Sequence, residues 1–204
     1  MKNKALILGC GGHAHVVAAM LELRSISVSG FLDSSYQGKA EKIYKDLSLL
    51  NVPENLADYM DDETDLYLAT GHNQSRKKYF EQCCNNYSMP SLVHPSALVE
   101  DSVQIGDASQ VCLGAKIAVE VTIGRAVLVN TGTIIDHETK IGDFCHVAPG
   151  AILAGKVNVE EQCCIGMGTM IDQGITIGAN SVIGAGSIIL KDVPPNSRIY
   201  GIHS

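Results

Sequence analysis

Long runs of basic or apolar residues are missing from this chain of 204 residues, and their absence excludes several classes of protein. No block of lysine or arginine could follow a phosphate backbone, and the formal net charge is −7, so nucleic acid is not an expected partner. No window approaches roughly 18 uncharged apolar residues, and the first apolar run is too short and too rich in glycine for a signal peptide. We therefore expect a soluble, cytoplasmic protein without a membrane span.

The seven cysteines also lack the spacing of a disulfide framework or of a zinc site. Four of them form two adjacent pairs, Cys83–Cys84 and Cys163–Cys164, which suit neither arrangement. We predict that the cysteines are reduced and mostly structural, and that the protein holds no metal.

What the sequence does contain is an aliphatic residue at every sixth position from Val93 to Ile189. All 17 positions on this spacing are valine, isoleucine or leucine. If about a third of residues were aliphatic, chance would give this roughly once in a hundred million trials. A period of six predicts the hexapeptide repeat of a parallel β-helix. Strands of a β-sandwich would instead alternate at a period of two, with turns about every 8–12 residues.

Three hexapeptides form one coil of about 18 residues, so the repeat predicts slightly more than about five stacked coils. Glycine follows the aliphatic residue at six places, where we expect tight corners with unusual backbone angles: Gly106, Gly124, Gly142, Gly166, Gly178 and Gly184. Pro194 and Pro195 are expected to end the repeat, and His203 to lie in a mobile tail.

The first 90 residues show the pattern of a small open α/β domain, so we divide the chain into domains 1–90 and 91–204. Strands are predicted at 4–9, 27–32, 65–70 and 91–93, and helices at 13–24 and 74–86. A loop-rich link with room for one short helix is predicted at 41–60. Gly9-x-Gly11-x-x-Ala14, followed by Asp33, is close to a dinucleotide fingerprint. A domain of this size could hold a mononucleotide but is short of a full dinucleotide fold, which argues against a nicotinamide cofactor.

Four short motifs stand out in the two domains: Gly9-Cys10-Gly11-Gly12-His13, Phe31-Leu32-Asp33, Ala69-Thr70-Gly71-His72-Asn73 and an outward corner of the repeat, Asp136-His137-Glu138. Together, these motifs resemble the sugar O-acyltransferase and sialic acid O-acetyltransferase family. The resemblance spans nearly the whole chain. It implies a small Rossmann-like domain followed by a left-handed β-helix, a homotrimer with active sites between subunits, and acetyl-CoA as co-substrate in the groove between neighbouring β-helices.

The resemblance also implies roles for individual residues. The small domain would bind the nucleotide sugar through Gly11, Gly12, His13, Asp33, Ser34, Gly71, His72 and Asn73. The catalytic residue would be His137, with Glu138 beside it. Acetyl-CoA would be contacted by His146, Gly155, Met167 and Ala185. Many relatives end in a Gly-x-Pro-Ala-Lys-like tail that touches the coenzyme, whereas this sequence reads Gly201-Ile202-His203-Ser204 and has no lysine there.

Acyl transfer from a thioester to a sugar amine needs a base that titrates near neutral pH, and imidazole fits this requirement. A backbone amide near Asn130 or Gly155 could stabilise the oxyanion. Whether Asp136 or Glu138 reaches the imidazole ring is left open by the sequence. Because no cysteine has an identifiable histidine partner, direct attack in a ternary complex is the simpler mechanism.

The leading interpretation is an acetyl-CoA-dependent N-acetyltransferase that acts on the amine of a nucleotide-linked amino-deoxy sugar, in glycan or lipopolysaccharide biosynthesis. The first alternative is O-acetylation of a sugar or of sialic acid. The second is a non-enzymatic trimeric scaffold whose small domain senses a nucleotide.

Overall fold

The computed structural model describes residues 2–33, 42–45, 47–48 and 56–204 of the chain. The chain forms two compact units, Met1–Pro90 and Ser91–Ser204. Ser34, one of the predicted substrate-binding residues, lies outside the described residues.

The first unit is built on a three-stranded parallel sheet of order β2-β1-β5. Its elements are β1 (Lys4–Leu8), α1 (Gly12–Leu23), β2 (Ser27–Leu32), β3 (Lys42–Tyr44), β4 (Leu47–Ser48), a 3-10 turn (Leu56–Tyr59), β5 (Thr64–Leu68) and α2 (Asn73–Cys83). β1 and β5 are almost wholly buried, as expected for parallel strands covered by helices. The predicted strands and helices of this unit are confirmed. The antiparallel β3–β4 pair was not predicted, because it falls within the expected loop-rich link.

Neither α1 nor α2 resembles a transmembrane segment, and no other helix in the described part of the chain is long and apolar enough to cross a bilayer.

The second unit is a parallel β-helix of two-residue strands. Its strands are β6 (Leu92–Val93), β7 (Leu98–Val99), β8 (Gln104–Ile105), β9 (Gln110–Val111), β10 (Lys116–Ile117), β11 (Thr122–Ile123), β12 (Leu128–Val129), β13 (Ile134–Ile135), β14 (Lys140–Ile141), β15 (His146–Val147), β16 (Ile152–Leu153), β17 (Asn158–Val159), β18 (Cys164–Ile165), β19 (Met170–Ile171), β20 (Thr176–Ile177), β21 (Val182–Ile183), β22 (Ile188–Ile189), β23 (Arg198–Ile199) and β24 (Ile202–His203). They form three parallel faces of seven, seven and five strands.

Coils stack in strict register, because each strand pairs with the equivalent strands of the coils before and after it. Val129, for example, pairs with Val111 and Val147. Every aliphatic position on the six-residue spacing from Val111 to Ile189 is buried in one continuous core. Burying one such side chain stabilises the fold by about 1.5–3 kcal/mol, so the periodicity accounts for the hydrophobic stability of the solenoid.

The glycines that follow the aliphatic residues have a different role from the one predicted. None of the six has a positive φ; the left-handed residue lies two positions further on, as at Gly168, which follows Gly166 and has φ +64°. A Cβ on Gly142 would instead lie 2.7 Å from the backbone nitrogen of Glu161 in the next coil. These glycines therefore permit the close approach of stacked coils, and the explanation from unusual backbone angles is wrong.

We expect Gly142→Ala to destabilise the β-helix by about 1–3 kcal/mol, because the added methyl group meets backbone atoms that can move only if the coils separate. Gly114→Asn is the matched control. Gly114 has φ +67° and its Cβ would have nothing within 4 Å, and asparagine tolerates the left-handed conformation. Denaturant unfolding measures both variants. An equal loss of stability in the two would contradict the distinction between coil stacking and backbone angle.

The β-helix continues beyond the two prolines that were expected to end it. After Pro194 and Pro195, Arg198 of β23 pairs with Val182 and Ile202 of β24 pairs with Ile188, so both strands still stack on the preceding coil. These partners are closer along the chain than those of a regular coil. His203 lies opposite Ile189, and its Nε2 lies 3.3 Å from the carbonyl oxygen of Asp192. The prolines thus shorten the last coil, and His203 lies in a paired strand rather than in the free tail that was expected.

Candidate active site

In the first unit, the predicted substrate-binding residues meet at one edge of the sheet. Gly11, Gly12 and His13 follow β1, Asp33 follows β2, and Gly71 to Asn73 follow β5. The three strands are parallel, so all these residues lie at carboxyl ends, where open α/β sheets bind ligands. Helices α1 and α2 both begin at this edge, and helix N-termini favour anions.

Gly11 and Gly12 expose bare backbone at the start of α1. Neither has a positive φ, and a Cβ on either would meet nothing within 4 Å. The folded chain itself therefore does not require glycine at these positions. By contrast, Gly9 has φ +117°, and a Cβ there would lie 2.7 Å from the carbonyl oxygen of Ala69. Gly9 is thus required for packing, whereas Gly11 and Gly12 leave room for a ligand.

Asp33 fixes the turn that leads into α1. Its Oδ2 accepts hydrogen bonds from the backbone N–H of Cys10 at 3.2 Å and from the Cys10 thiol at 3.3 Å. Burial, followed by the contact with Asp33, raises the pKa of the Cys10 thiol to about 11, so this thiol stays protonated at neutral pH.

A buried arginine that the sequence reasoning missed holds the second loop of this edge. Arg76 lies in α2, and its guanidinium donates to the carbonyl oxygens of Thr70 and Gly71, both at 3.1 Å, and to Oδ1 of Asn73 at 2.9 Å. His72 caps α2, because its Nδ1 accepts the backbone N–H of Ser75. The 70–73 loop is therefore fixed by α2 rather than by its own sequence.

In the second unit, candidate residues fall on two different edges of the triangular β-helix. We call the stacked corners at 118–120, 136–138, 154–156 and 172–174 the His137 edge. We call those at 112–114, 130–132, 148–150, 166–168 and 184–186 the Asn130 edge. The face between the two edges contains β13 and its stacked neighbours, and we call it the β13 face.

On the His137 edge, the two flanking carboxylates have separate roles. Oδ1 of Asp136 accepts the backbone N–H of His137 at 2.7 Å and fixes the corner. Oε2 of Glu138 lies 2.9 Å from Nδ1 of His137. Glu138 is therefore the carboxylate that reaches the ring, which the sequence had left open. With Nδ1–H donating to Glu138, Nε2 carries the lone pair that a general base needs.

The next coil packs against this histidine. Gly155 occupies the position of His137 one coil further along the chain, and a Cβ on it would overlap Nε2 and Cε1 of the imidazole ring. Nζ of Lys156 lies 3.5 Å from the same Oε2 of Glu138. The hydrogen bond from His137, together with the charge and hydrogen bond of Lys156, lowers the pKa of the Glu138 carboxyl, so Glu138 is ionised at neutral pH.

Gly155 also has a free backbone donor. Among the residues that the structure describes, the N–H of Gly155 makes no hydrogen bond, whereas its carbonyl oxygen accepts the N–H of Gly174. The backbone N–H of Asn130, the other oxyanion candidate, already donates to the carbonyl oxygen of Val147 at 2.9 Å. Of these two backbone amides, that of Gly155 is therefore the one available to donate a hydrogen bond to an oxyanion.

The Asn130 edge carries the remaining coenzyme candidates. Nδ2 of Asn130 lies 3.2 Å from Nε2 of His146, which occupies β15. Met167 and Ala185 lie further along the same edge, and Met167 is well exposed. One chain therefore groups His137, Glu138 and Gly155 on one edge and Asn130, Met167 and Ala185 on the other, with the β13 face between them. His146 lies in β15, on the face that adjoins the Asn130 edge from the opposite side.

None of the seven cysteines forms a disulfide bond. Burial raises the pKa of the Cys112 thiol, on the Asn130 edge, to about 12, so it is not a nucleophile at neutral pH. Over residues 2–33, 42–45, 47–48 and 56–204, no three histidine, cysteine or acidic side chains form a group that could hold a metal ion.

Comparison with protein families gives two matches. The family described as PglD N-terminal domain matches residues 4–83. The family described as bacterial transferase hexapeptide (six repeats) matches residues 156–191. The predicted left-handed β-helix of hexapeptide repeats is thereby confirmed. Comparison with curated proteins gives no match.

Solved structures match over almost the entire chain. The acetyltransferase domain of PglB from Neisseria gonorrhoeae FA1090, in complex with acetyl coenzyme A, has a TM-score of 0.89 at 29% identity and covers 98% of this chain and 97% of its own. PerB from Caulobacter crescentus, in complex with CoA and GDP-perosamine, has a TM-score of 0.85 at 30% identity and covers 97% and 94%. WeeI from Acinetobacter baumannii AYE has the same fold at 22% identity, with a TM-score of 0.84 and coverage of 97% and 96%.

Proposed function

Because the chain belongs to the hexapeptide-repeat acyltransferases that carry a PglD-type N-terminal domain, we propose that it is an acetyl-CoA-dependent N-acetyltransferase. Its acceptor is the amine of a nucleotide-linked amino-deoxy sugar, in glycan biosynthesis. The observation that carries this proposal is the near-complete match to PerB, which was solved with CoA and GDP-perosamine. We propose that the enzyme is cytoplasmic, because its co-substrate acetyl-CoA is supplied inside the cell.

His137 is the general base of the proposed reaction. Acetyl-CoA supplies the acetyl group as a thioester. The acceptor nitrogen attacks the carbonyl carbon, the C–N bond forms, and the C–S bond breaks to release the thiol of coenzyme A. Nε2 of His137 takes the proton that the nitrogen loses and passes it to the leaving thiolate. Glu138 holds the tautomer, since it accepts the Nδ1–H at 2.9 Å.

Gly155 supports the same step in two ways. Its free N–H is available to the oxyanion that develops on the thioester carbonyl. Its lack of a side chain leaves the space that the imidazole ring of His137 occupies. Direct attack by the acceptor nitrogen needs no acyl-enzyme. Burial raises the pKa of the Cys112 thiol, so this cysteine of the Asn130 edge is not a nucleophile at neutral pH.

The first unit holds the nucleotide part of the acceptor. The exposed backbone of Gly11 and Gly12 at the N-terminus of α1 suits a diphosphate, because nothing else requires bare backbone there. His13 flanks the same site. Asp33 follows β2, at the position where a carboxylate that binds the ribose hydroxyls is expected. Gly71, His72 and Asn73 complete the edge towards the sugar.

We further propose a homotrimer in which edges of different subunits meet. The outward positions of the β13 face are largely apolar, with Leu98 66%, Ile152 41%, Met170 44% and Ile202 71% exposed. An exposed apolar stripe of this extent is typical of a protein interface. Burying it against a second copy would bring the His137 edge of one subunit towards the Asn130 edge of another. This would unite His137 with the coenzyme candidates Met167 and Ala185, which one chain keeps on a separate edge.

Ligand-induced stabilisation tests the proposed binding sites. A ligand at 100 times its Kd adds about 2.7 kcal/mol to the stability of the native state, so both substrates are expected to raise the melting temperature. We expect a shift with acetyl-CoA and a separate shift with a UDP- or GDP-linked 4-amino-4,6-dideoxy sugar. Failure of both ligands to shift the transition would contradict the proposal. A shift with free sialic acid but with no nucleotide sugar would favour O-acetylation.

A further inference from the structure

Lys156 contacts the His137–Glu138 pair from the neighbouring coil. Its backbone N–H donates to the carbonyl oxygen of His137 at 2.8 Å, and its Nζ lies 3.5 Å from Oε2 of Glu138. The same oxygen lies 2.9 Å from Nδ1 of His137. One carboxylate oxygen thus faces a lysine ammonium on one side and the imidazole on the other.

The stacking of coils creates this contact. Glu138 and Lys156 are one coil apart and occupy the same corner position, with φ of +57° and +60°. This left-handed conformation is disfavoured for residues other than glycine, and the Asn130 edge has glycine at the corresponding position in every coil from Gly114 to Gly186. The His137 edge departs from glycine at Glu120, Glu138 and Lys156, and the last two of these meet at Oε2.

We propose that Lys156 is a positioning residue, which holds the Glu138 carboxylate against Nδ1 of His137 and sets the pH range in which His137 acts as a base. The inference rests on the proposed function and adds a residue to its machinery. It does not require Lys156 to touch either substrate.

Other charged groups face the same carboxylate, and they allow a matched control. Glu120 from the preceding coil and Lys140 from β14 line the cavity that contains Glu138 and Lys156. Asp136 is engaged by the backbone N–H of His137. Among the described residues, Lys156 lies within ion-pair distance of Glu138, whereas Lys140 does not. Lys140→Met therefore removes a cation from the cavity without removing the contact.

We expect Lys156→Met to change both the rate and its pH dependence. Loss of the ammonium frees the carboxylate to rotate, so kcat falls by about tenfold, a partial loss of the contribution of a general base. Loss of a nearby positive charge also favours the imidazolium form, so the acid limb of the kcat profile moves up by about half a pH unit. Lys156→Arg keeps the positive charge, so it is expected to retain most of the wild-type kcat and to leave the acid limb of the kcat profile at the wild-type pH. The KM for acetyl-CoA stays unchanged.

An NMR titration of the His137 imidazole makes the test independent of the acceptor. Its midpoint is expected to move to higher pH in Lys156→Met and to stay in place in Lys156→Arg and Lys140→Met. An unmoved midpoint in Lys156→Met, or an equal movement in Lys140→Met, would overturn the role of Lys156. Absence of acetyl transfer by the wild-type protein would overturn the proposed function instead, and the titration would still decide the role of Lys156.

Discussion

His137→Ala is expected to lower kcat for acetyl transfer by about 10²- to 10⁴-fold, the range for removing a positioned general base. The side chain of His137 is 39% exposed on an edge of the β-helix, so its loss leaves the core intact and the melting temperature unchanged. Thiol release from acetyl-CoA, with a nucleotide-linked 4-amino-4,6-dideoxy sugar as acceptor, measures the rate.

His94→Ala serves as the matched control for this variant. His94 lies in the first coil, where its Nδ1 accepts the backbone N–H of Ser96, and it has no part in the proposed mechanism. We expect this variant to retain wild-type kcat. Comparable rates for His137→Ala and His94→Ala would show that another group takes the proton, or that the acceptor loses it without a base.

Gly155→Ala is expected to have the second-largest effect, a loss of about 100-fold, which is typical when a catalytic group is displaced by about 1 Å. The new methyl group would overlap the imidazole of His137 and push the ring away from its position beside Glu138. Gly155 does not have a positive φ, and the displaced ring can move into solvent, so stability is expected to stay close to that of the wild type.

The double variant Gly155→Ala/His137→Ala separates the possible causes of that loss. If the methyl group acts through the ring, it has nothing to displace once His137 is absent, and Gly155→Ala adds no further loss. Thiol release by the four proteins completes the cycle. An equal loss from Gly155→Ala in both backgrounds would assign the effect to the coenzyme or to the Gly155 amide, and would contradict the packing role.

Sequence periodicity predicts the architecture well, because every coil must bury an aliphatic residue at the same place. The run from Val111 to Ile189 is buried as predicted. The handedness came from the family resemblance alone, since a period of six is compatible with either hand. The role of Gly142 was misjudged, because the aliphatic register does not show which corner residue is left-handed. The β3–β4 pair depends on contacts between very short strands, which pattern reading does not detect.

The sequence names candidate site residues one by one, but it does not give their arrangement. The outward corner with His137 and its partner Glu138 is visible in the sequence as a polar interruption, whereas two further contacts come from the next coil. Gly155 and Lys156 follow His137 and Glu138 by one full coil. Adding one coil length to the numbers of His137 and Glu138 would therefore have identified both contacts. The same residue spacing places His137 and Asn130 at different corners of one coil. Arg76 could not be predicted, because its burial depends on how α2 packs beside the 70–73 loop.

The most direct test of N-acetyl transfer is the chemical identity of the product. The protein is incubated with acetyl-CoA and a nucleotide-linked 4-amino-4,6-dideoxy sugar, and the sugar product is examined by mass spectrometry before and after treatment with hydroxylamine. We expect the mass of one added acetyl group, retained after hydroxylamine because an amide resists it, and absent when His137→Ala replaces the wild-type protein. An acetyl group that hydroxylamine removes, or an unmodified sugar from the wild-type enzyme, would contradict an N-acetyltransferase that acts on this class of acceptor.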